Sequence, residues 1–284
     1  MVKVEETTQG VLDKISEGFA QKGAFNLRQN GISICHGDSE HIKIKKKEDK
    51  PGIDIFIDGE TKGEKVFIPV VVSVSGMTDL VYNDFYVADG ADVDIVAGCG
   101  IHNSGCNDSR HDGIHTFHVG KNANVHYEEK HYGEGNGTGS RVLNPVTNIE
   151  LGENSVFTLD TVQIKGVDST IRTTNVSMDA DSKLFVLERL MTDGEQKAES
   201  DIEVCMNGAG SLHRLFPVLL ERETLPRFSI RRLLERTNVT HISSVIPLLW
   251  IMQRWVLSRK SRRSMWMLQL FMRPLLEELT MSSF

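Results

Sequence analysis

Beyond Gly76 the chain repeats one short pattern: a strand, a polar turn, a small residue and a second strand. The five segments are DFYVADGADVDIV, HTFHVGKNANVHY, VTNIELGENSVFTL, TTNVSMDADSKLFV and SDIEVCMNGAGSL. When these segments are aligned on the apolar residue after each turn, the equivalent residues are Val93, Val125, Val156, Leu184 and Leu212. Successive residues of this set are 32, 31, 28 and 28 positions apart. A repeat of nearly constant length, about thirty residues, that contains strands and no helix predicts stacked coils.

Stacked coils predict an all-β fold, a right-handed parallel β-helix in which each rung buries its inward side chains on the next. A β-sandwich also has strands at even spacing and is the alternative. We prefer the β-helix because one turn signature, built from Gly, Asn or Asp, recurs in every segment. The N-terminal part differs, since Val11 to Phe19 has the spacing of a short helix and short alternating strands follow it.

The composition changes at residue 210. Residues 1–210 carry 20 Lys+Arg and 34 Asp+Glu, whereas residues 211–284 carry 12 and 5. The last segment has no Gly, Ala, Asp, Cys or Tyr, although it holds all three Trp residues. Domains rarely lack Gly, Ala and Asp together, because turns and helix caps use them. We predict an N-terminal segment of a helix and short strands (1–75), a β-helix core (76–210) and an atypical tail (211–284).

Cysteine and histidine are concentrated in residues 97–120, AGCGIHNSGCNDSRHDGIHTFHVG. Thiolates and imidazoles suit zinc, iron and iron–sulfur clusters. The spacing C-x2-H-x3-C is not that of a zinc finger, and the chain has no C-x2-C pair. We predict Cys99 and Cys106 as cluster ligands or sulfur acceptors, with His102 and His115 as secondary metal ligands. The alternative is a tight glycine loop whose small cysteines pack between rungs.

Strand alternation assigns faces to the other candidates. His115 and Phe117 share one face of their strand, and His118 lies on the opposite face. The next strand alternates two polar sets, which are His126, Glu128 and Lys130 on one face and Tyr127, Glu129 and His131 on the other. One of these sets faces the core, unless the strand lies outside the coil. A buried Glu–His pair requires mutual hydrogen bonding.

Four long strings resemble the SufB/SufD family of the SUF iron–sulfur assembly system: KPGIDIFIDG, IPVVVSVSGMTDLVYNDFYV, VAGCGIHNSGCNDSRHDGIHTFHVGKNANVHYEEKHYGEG and VLNPVTNIELGENS. The resemblance covers residues 20–210 and is strongest to the short single-gene type of archaea and anaerobic bacteria. It implies a β-helical scaffold protein, not an enzyme, that carries a transient iron–sulfur cluster. It also implies a SufC-like ABC ATPase partner, a dimer with itself or a SufB/SufD paralogue, and a cysteine desulfurase as indirect sulfur donor.

The resemblance ends within one or two residues of Gly210. The family continues with a further rung and a helical domain that contacts the ATPase, and neither is visible in this chain. Back-translating the segment that starts at Ser211 in another frame yields IVSRSVAREGNSSQIFYP, which is similar to the family's next rung. We therefore expect residues 211–284 to be out of frame, and sequencing the coding DNA across codons 200–220 tests this.

The remaining sequence features restrict the location and the partners. Four cysteines without a secretory signal indicate a reducing, cytoplasmic location. The lack of an apolar run of 18 residues argues against membrane insertion, and the acidic body argues against nucleic-acid binding. The chain has no Walker motif, so ATP chemistry belongs to a partner. Two alternatives stay open: a structural subunit of the same ATPase complex that binds no metal, and a β-helical metal-dependent enzyme.

Overall fold

The computed structural model describes the backbone of residues 4–222, 227–237 and 242–245 and the side chains of residues 4–214. One helix precedes a β-solenoid of about five turns, which confirms the predicted β-helix rather than the β-sandwich. The chain divides into two compact units, Met1–Ile251 and Met252–Phe284, and the second lies outside the described residues. Among the described residues, no helix has the length and apolar character needed to span a bilayer.

The elements follow one another as short segments. The first ten are α1 (Glu6–Ile15), β1 (Ala24–Gln29), β2 (Ile32–Gly37), β3 (Ile42–Lys46), β4 (Gly52–Ile57), β5 (Lys62–Val72), β6 (Thr78–Val87), β7 (Asp92–His102), β8 (Ser109–Val119) and β9 (Asn124–Glu134). The others are β10 (Arg141–Leu143), β11 (Val146–Leu151), β12 (Val156–Lys165), β13 (Ser169–Met178), β14 (Lys183–Asp193), β15 (Lys197–Met206), β16 (Leu212–Arg222), β17 (Arg227–Thr237) and β18 (Ile242–Val245).

Two sheets run along the solenoid, and the chain alternates between them as it coils from one rung to the next. Sheet A has the order β18-β16-β14-β12-β9-β7-β5-β1-β2, and sheet B has the order β17-β15-β13-β10-β8-β6-β4-β3, with β11 also between β8 and β13. All neighbouring strands are parallel except the β1–β2 and β3–β4 hairpins at the N-terminal end. Both sheets continue beyond the predicted core boundaries at residues 76 and 210, sheet A from β1 to β18 and sheet B from β3 to β17.

One corner of each rung is formed by a residue in the left-handed conformation. The residues are Gly90, Asn122, Asn154, Asp181 and Gly210, with φ values of 74°, 56°, 57°, 56° and 75°. Each is followed by a buried small residue, which is Ala91, Ala123, Ser155, Ser182 or Ser211. Gly, Asn and Asp tolerate positive φ, and a small residue lets the chain turn inward without a clash. The repeated turn signature in the sequence therefore reflects the residue types that this corner requires.

Replacing Asn154 with alanine is expected to lower the free energy of unfolding by about 1 kcal/mol, because alanine is disfavoured at positive φ. Asn154 also donates from Nδ2 to Asn122 Oδ1 at 2.7 Å, a bond that every substitution removes. Asn154→Gly loses that bond but tolerates the conformation, so urea unfolding is expected to show a smaller loss. Equal losses in the two variants would contradict the role of backbone conformation.

The register of the rungs agrees with the sequence alignment between Val93 and Val125 but differs from it by one residue at Val156 and Leu212. Val125 pairs with Phe157 rather than Val156, and Leu184 pairs with His213. Because side chains alternate, a one-residue slip exchanges the buried and outer faces. Phe157 is accordingly fully buried, whereas Val156 is only partly buried. His213 is buried where the two preceding rungs place apolar residues.

The N-terminal helix packs on the outer face of sheet A. It ends at Ile15, earlier than the predicted limit of Phe19. A Cβ on Gly98 would lie 2.5 Å from the Ile15 carbonyl oxygen, and a Cβ on Gly100 would lie 2.2 Å from a Val11 methyl carbon. These two glycines belong to β7, not to the predicted tight loop, and they allow the close approach of α1.

Candidate functional site

The interior of the solenoid has an apolar half and a polar half. In both sheets, the inward positions beside the turn that leads from sheet B to sheet A are apolar, as at Phe85 and Phe117 before it and at Val93 and Val125 after it. Farther from this turn, polar residues replace them. In sheet A, Glu129 lies in register with Thr161, and His131 lies in register with Gln163. In sheet B, Asn83, His115 and Thr147 lie in register, so two polar rows face each other across the interior.

Arg172 is the centre of a buried group that we call the interior polar cluster, formed by Tyr127, Glu129, His131, Arg172 and Glu188. Arg172 Nη2 donates to Glu129 Oε2, and Arg172 Nη1 donates to His131 Nδ1 at 3.1 Å. Arg172 Nε lies 3.5 Å from Glu188 Oε1. The Tyr127 hydroxyl donates to the other Glu129 oxygen at 3.2 Å. The carboxylate of Glu129 thus has partners on both oxygens, as a buried anion requires.

The cluster keeps Glu129 ionised and His131 neutral. Burial by itself raises the pKa of Glu129, but His131 and Arg172 outweigh it and hold that pKa well below its usual range. Burial lowers the pKa of His131 despite the attraction of Glu129. Because His131 Nδ1 accepts from Arg172, its proton is on Nε2, which lies 3.6 Å from Glu129 Oε1. Burial also raises the pKa of Tyr127 well above its ordinary value, so that the phenol stays protonated.

A second buried group connects sheet A to sheet B nearer the N-terminal end. Arg28 donates to Asp79 through Nε at 2.9 Å and Nη2 at 2.6 Å. His111 Nδ1 lies 3.1 Å from Asp79 Oδ2. Burial opposes ionisation of Asp79, but the hydrogen bonds from His111 and Arg28 hold its pKa far below the ordinary value. This group orients the His111 ring inside the solenoid.

His115, a predicted metal ligand, lies in β8 between these two groups. It is 2% exposed, stacks on Phe85 with ring centroids 6.1 Å apart, and packs at a tilt against Tyr127 with ring centroids 5.8 Å apart. Neither ring nitrogen has a hydrogen-bond partner among the described residues. Burial lowers its pKa to about 4, so His115 is neutral at pH 7. The faces predicted for His115 and for Phe117 are confirmed, and His118 lies outside.

Cys99, a predicted cluster ligand or sulfur acceptor, lies inside the solenoid in register with His131. It packs in an apolar cluster that includes Leu143 and Val167. Burial, and then the charge of Glu129, raises the pKa of the Cys99 thiol well above its ordinary value. Since the thiolate is the nucleophile and the ligand, Cys99 in this conformation is a protonated, unreactive thiol.

The other two predicted residues lie at or near the surface. Cys106 is exposed in the segment between β7 and β8, so the structure does not place it beside Cys99. His102, at the end of β7, is half-buried, and its Nδ1 lies 3.1 Å from Glu134 Oε1. Tyr132 donates to the other oxygen of Glu134 at 2.8 Å. Cys106 is therefore the accessible thiol of the predicted pair.

Comparison with known proteins finds no family model and no curated protein that matches this chain. In the described part of the chain, no group of three or more His, Cys, Asp or Glu side chains is positioned to hold a metal ion. The ligand roles of Cys99, Cys106, His102 and His115 therefore stay predictions, and the function has to be argued from the geometry and from the resemblance.

The sequence analysis missed four members of the buried groups, which are Arg28, Asp79, Arg172 and Glu188. Each arginine is a lone basic residue in its strand. One signal for Arg172 was available: in STIRTTNVSM, alternation places it on the same face as Thr170, Thr174 and the apolar Val176. An arginine on an inward face requires buried acids as partners, and the open choice between the two faces of β9 is decided in favour of Glu129 and His131.

Proposed function

We propose that this chain is a cytoplasmic scaffold component of iron–sulfur cluster assembly that works with a SufC-like ABC ATPase. The observation that carries the proposal is the position in the structure of the longest string that resembles the SUF family. It spans residues 96–135, which include most of β7 and all of β8 and β9, and these strands supply Cys99, His115 and Glu129 to the interior. A rigid stack suits a scaffold, because ligands need a supporting shell that maintains their geometry.

The two cysteines differ in what they can do in such a scaffold. The exposed Cys106 can accept sulfur or iron directly, since its thiol meets solvent. The buried Cys99 requires loss of its proton, which its surroundings oppose. We infer that Cys106 acts first and that Cys99 takes part only after the rungs around it rearrange. The ATPase partner would supply the energy for that rearrangement, and the iron–sulfur cluster would be cargo rather than a resident cofactor.

Anaerobic reconstitution with iron and sulfide tests this proposal. The full chain is expected to bind both and to gain the visible absorption of a cluster, whereas Cys106→Ser is expected to lose most of it. Cys205→Ser is the matched control, because Cys205 lies partly buried on the outer face of β15. Loss in Cys106→Ser with retention in Cys205→Ser supports the scaffold role. Equal iron and sulfide binding in the wild type and both variants contradicts it.

A structural subunit of the same ATPase complex is the second candidate. The raised pKa of the Cys99 thiol favours it, because a protonated buried thiol packs well and does not bind metal. This candidate predicts that the ATPase co-purifies with the chain whether or not Cys99 and Cys106 are both replaced by serine. Reconstitution and co-purification measured on the same double variant separate the two functions.

A further inference from the structure

Two buried imidazoles of β8 meet over a glycine. His111, Gly113 and His115 alternate on the inward face of the strand, and both histidines are at least 97% buried. A Cβ on Gly113 would lie 2.8 Å from His115 Nε2 and 3.3 Å from His111 Nε2. Both ring nitrogens therefore lie against the backbone of Gly113, where a side chain would clash with them, and we call this place the Gly113 hollow. Within the described residues, neither of these nitrogens has a hydrogen-bond partner.

The His111 ring is oriented in the way that metal-binding histidines commonly are. Its Nδ1 faces Asp79 Oδ2 at 3.1 Å, and Arg28 holds the same carboxylate through two nitrogens. A ring that donates from Nδ1 to a carboxylate presents the Nε2 lone pair on its other side, toward Gly113. Metal-binding histidines commonly have such a carboxylate partner, which fixes the tautomer and makes the ring a stronger ligand.

Among the described residues, buried carboxylates outnumber buried guanidiniums inside the solenoid. In the described part of the chain, the fully buried carboxylates are those of Asp79, Glu129 and Glu188. The guanidiniums of Arg28 and Arg172 face them, and His111 Nδ1 also faces Asp79. A cation bound beside these groups would add favourable interactions with the carboxylates.

We propose that the Gly113 hollow binds one divalent first-row transition-metal ion through His111 Nε2 and His115 Nε2. Imidazole nitrogen suits Zn²⁺, Fe²⁺ and Co²⁺. Two protein ligands leave the remaining coordination positions to water or another small ligand. This site differs from the sequence prediction, which combined His115 with His102, because His102 is directed to Glu134. It does not depend on the proposed role in cluster assembly.

Cobalt binding by the full chain tests the site. Because the hollow is buried, Co²⁺ is supplied during refolding from urea, and unbound metal is removed by dialysis. The wild type is expected to retain one equivalent, with the visible absorption of nitrogen-bound cobalt and a raised unfolding temperature. His115→Phe is expected to reduce the affinity at least tenfold. Phenylalanine continues the stack with Phe85 and removes an unpaired polar group, so this variant folds.

Two further variants complete the test. Gly113→Ala places a methyl group in the hollow while keeping both histidines, and it is expected to weaken cobalt binding. His118→Asn is the matched control, because His118 lies on the outer face of the same strand, and it is expected to bind cobalt like the wild type. Equal retention of cobalt by the wild type and His115→Phe overturns the proposal. So does retention of none by the wild type, in which case the two imidazoles interact only with each other.

Discussion

Replacing Arg172 with methionine is expected to lower the free energy of unfolding by about 3–5 kcal/mol, the usual effect of removing one member of a buried ion pair. The loss arises because Glu129 and Glu188 would remain buried without the guanidinium that now contacts both. Urea unfolding followed by far-ultraviolet circular dichroism measures the change. We expect the midpoint to fall with little change in slope.

Arg189→Met is the matched control for this prediction. Arg189 pairs with Asp160 outside the solenoid, where the two side chains are 32% and 21% exposed. Such a pair contributes about 1 kcal/mol or less. The double variant Glu129→Leu/Arg172→Met removes one of the two stranded carboxylates, so it is expected to lose less than Arg172→Met alone. If Arg172→Met and Arg189→Met cost the same, the buried ion pair is not a principal source of stability.

The stability of the fold is expected to decrease between pH 6.5 and pH 4 because of His115. Its pKa is about 4 when folded and 6.5 when exposed, so in this range the unfolded chain binds a proton that the folded chain does not. The contribution of His115 is therefore fully present above pH 6.5 and is lost as the pH falls to 4. A shift of this size corresponds to about 3 kcal/mol.

The pH effect of His115 is isolated by comparison with His115→Phe. His131, whose pKa burial also lowers, adds a loss of the same sign, and the low pKa of Asp79 adds another at lower pH. Both contributions remain in the variant and cancel when the two stability curves are subtracted. We expect the difference to change by about 3 kcal/mol between pH 7 and pH 4. A difference that is constant with pH would show that His115 titrates normally in the folded protein.

The fold could be predicted because its signals are local. Alternation along a strand and the Gly, Asn or Asp corner are each contained in about ten residues, and they recur in every rung. The register between rungs was predicted incorrectly at two positions, since Val125 pairs with Phe157 and not with Val156. The alignment used the first apolar residue after each turn, but Val156 and Leu212 are only partly buried, and the paired inward residue lies three positions after the left-handed corner residue. A slip of one residue is enough to exchange the faces.

The candidate site was predicted only in part. The clustering of cysteine and histidine pointed to the strands that line the interior, and the face of His115 followed from alternation. The difference in burial between Cys99 and Cys106 could not be predicted. The two residues are seven positions apart in the sequence, and this spacing does not show which of them a neighbouring rung covers. Burial of Cys99 between β5 and β9 raises its pKa, whereas Cys106 lies in an exposed connection.

The sequence by itself determined that this chain forms stacked strands with one corner chemistry, and that its composition changes after residue 210. Only the tertiary structure decided which charges meet. Arg28 reaches Asp79 across 51 residues, and Arg172 reaches Glu129 across 43, because coiling places distant strands face to face inside the solenoid. Pairing of buried charges depends on these long-range distances and on exclusion of water, and neither property is encoded in the spacing of residues along one strand.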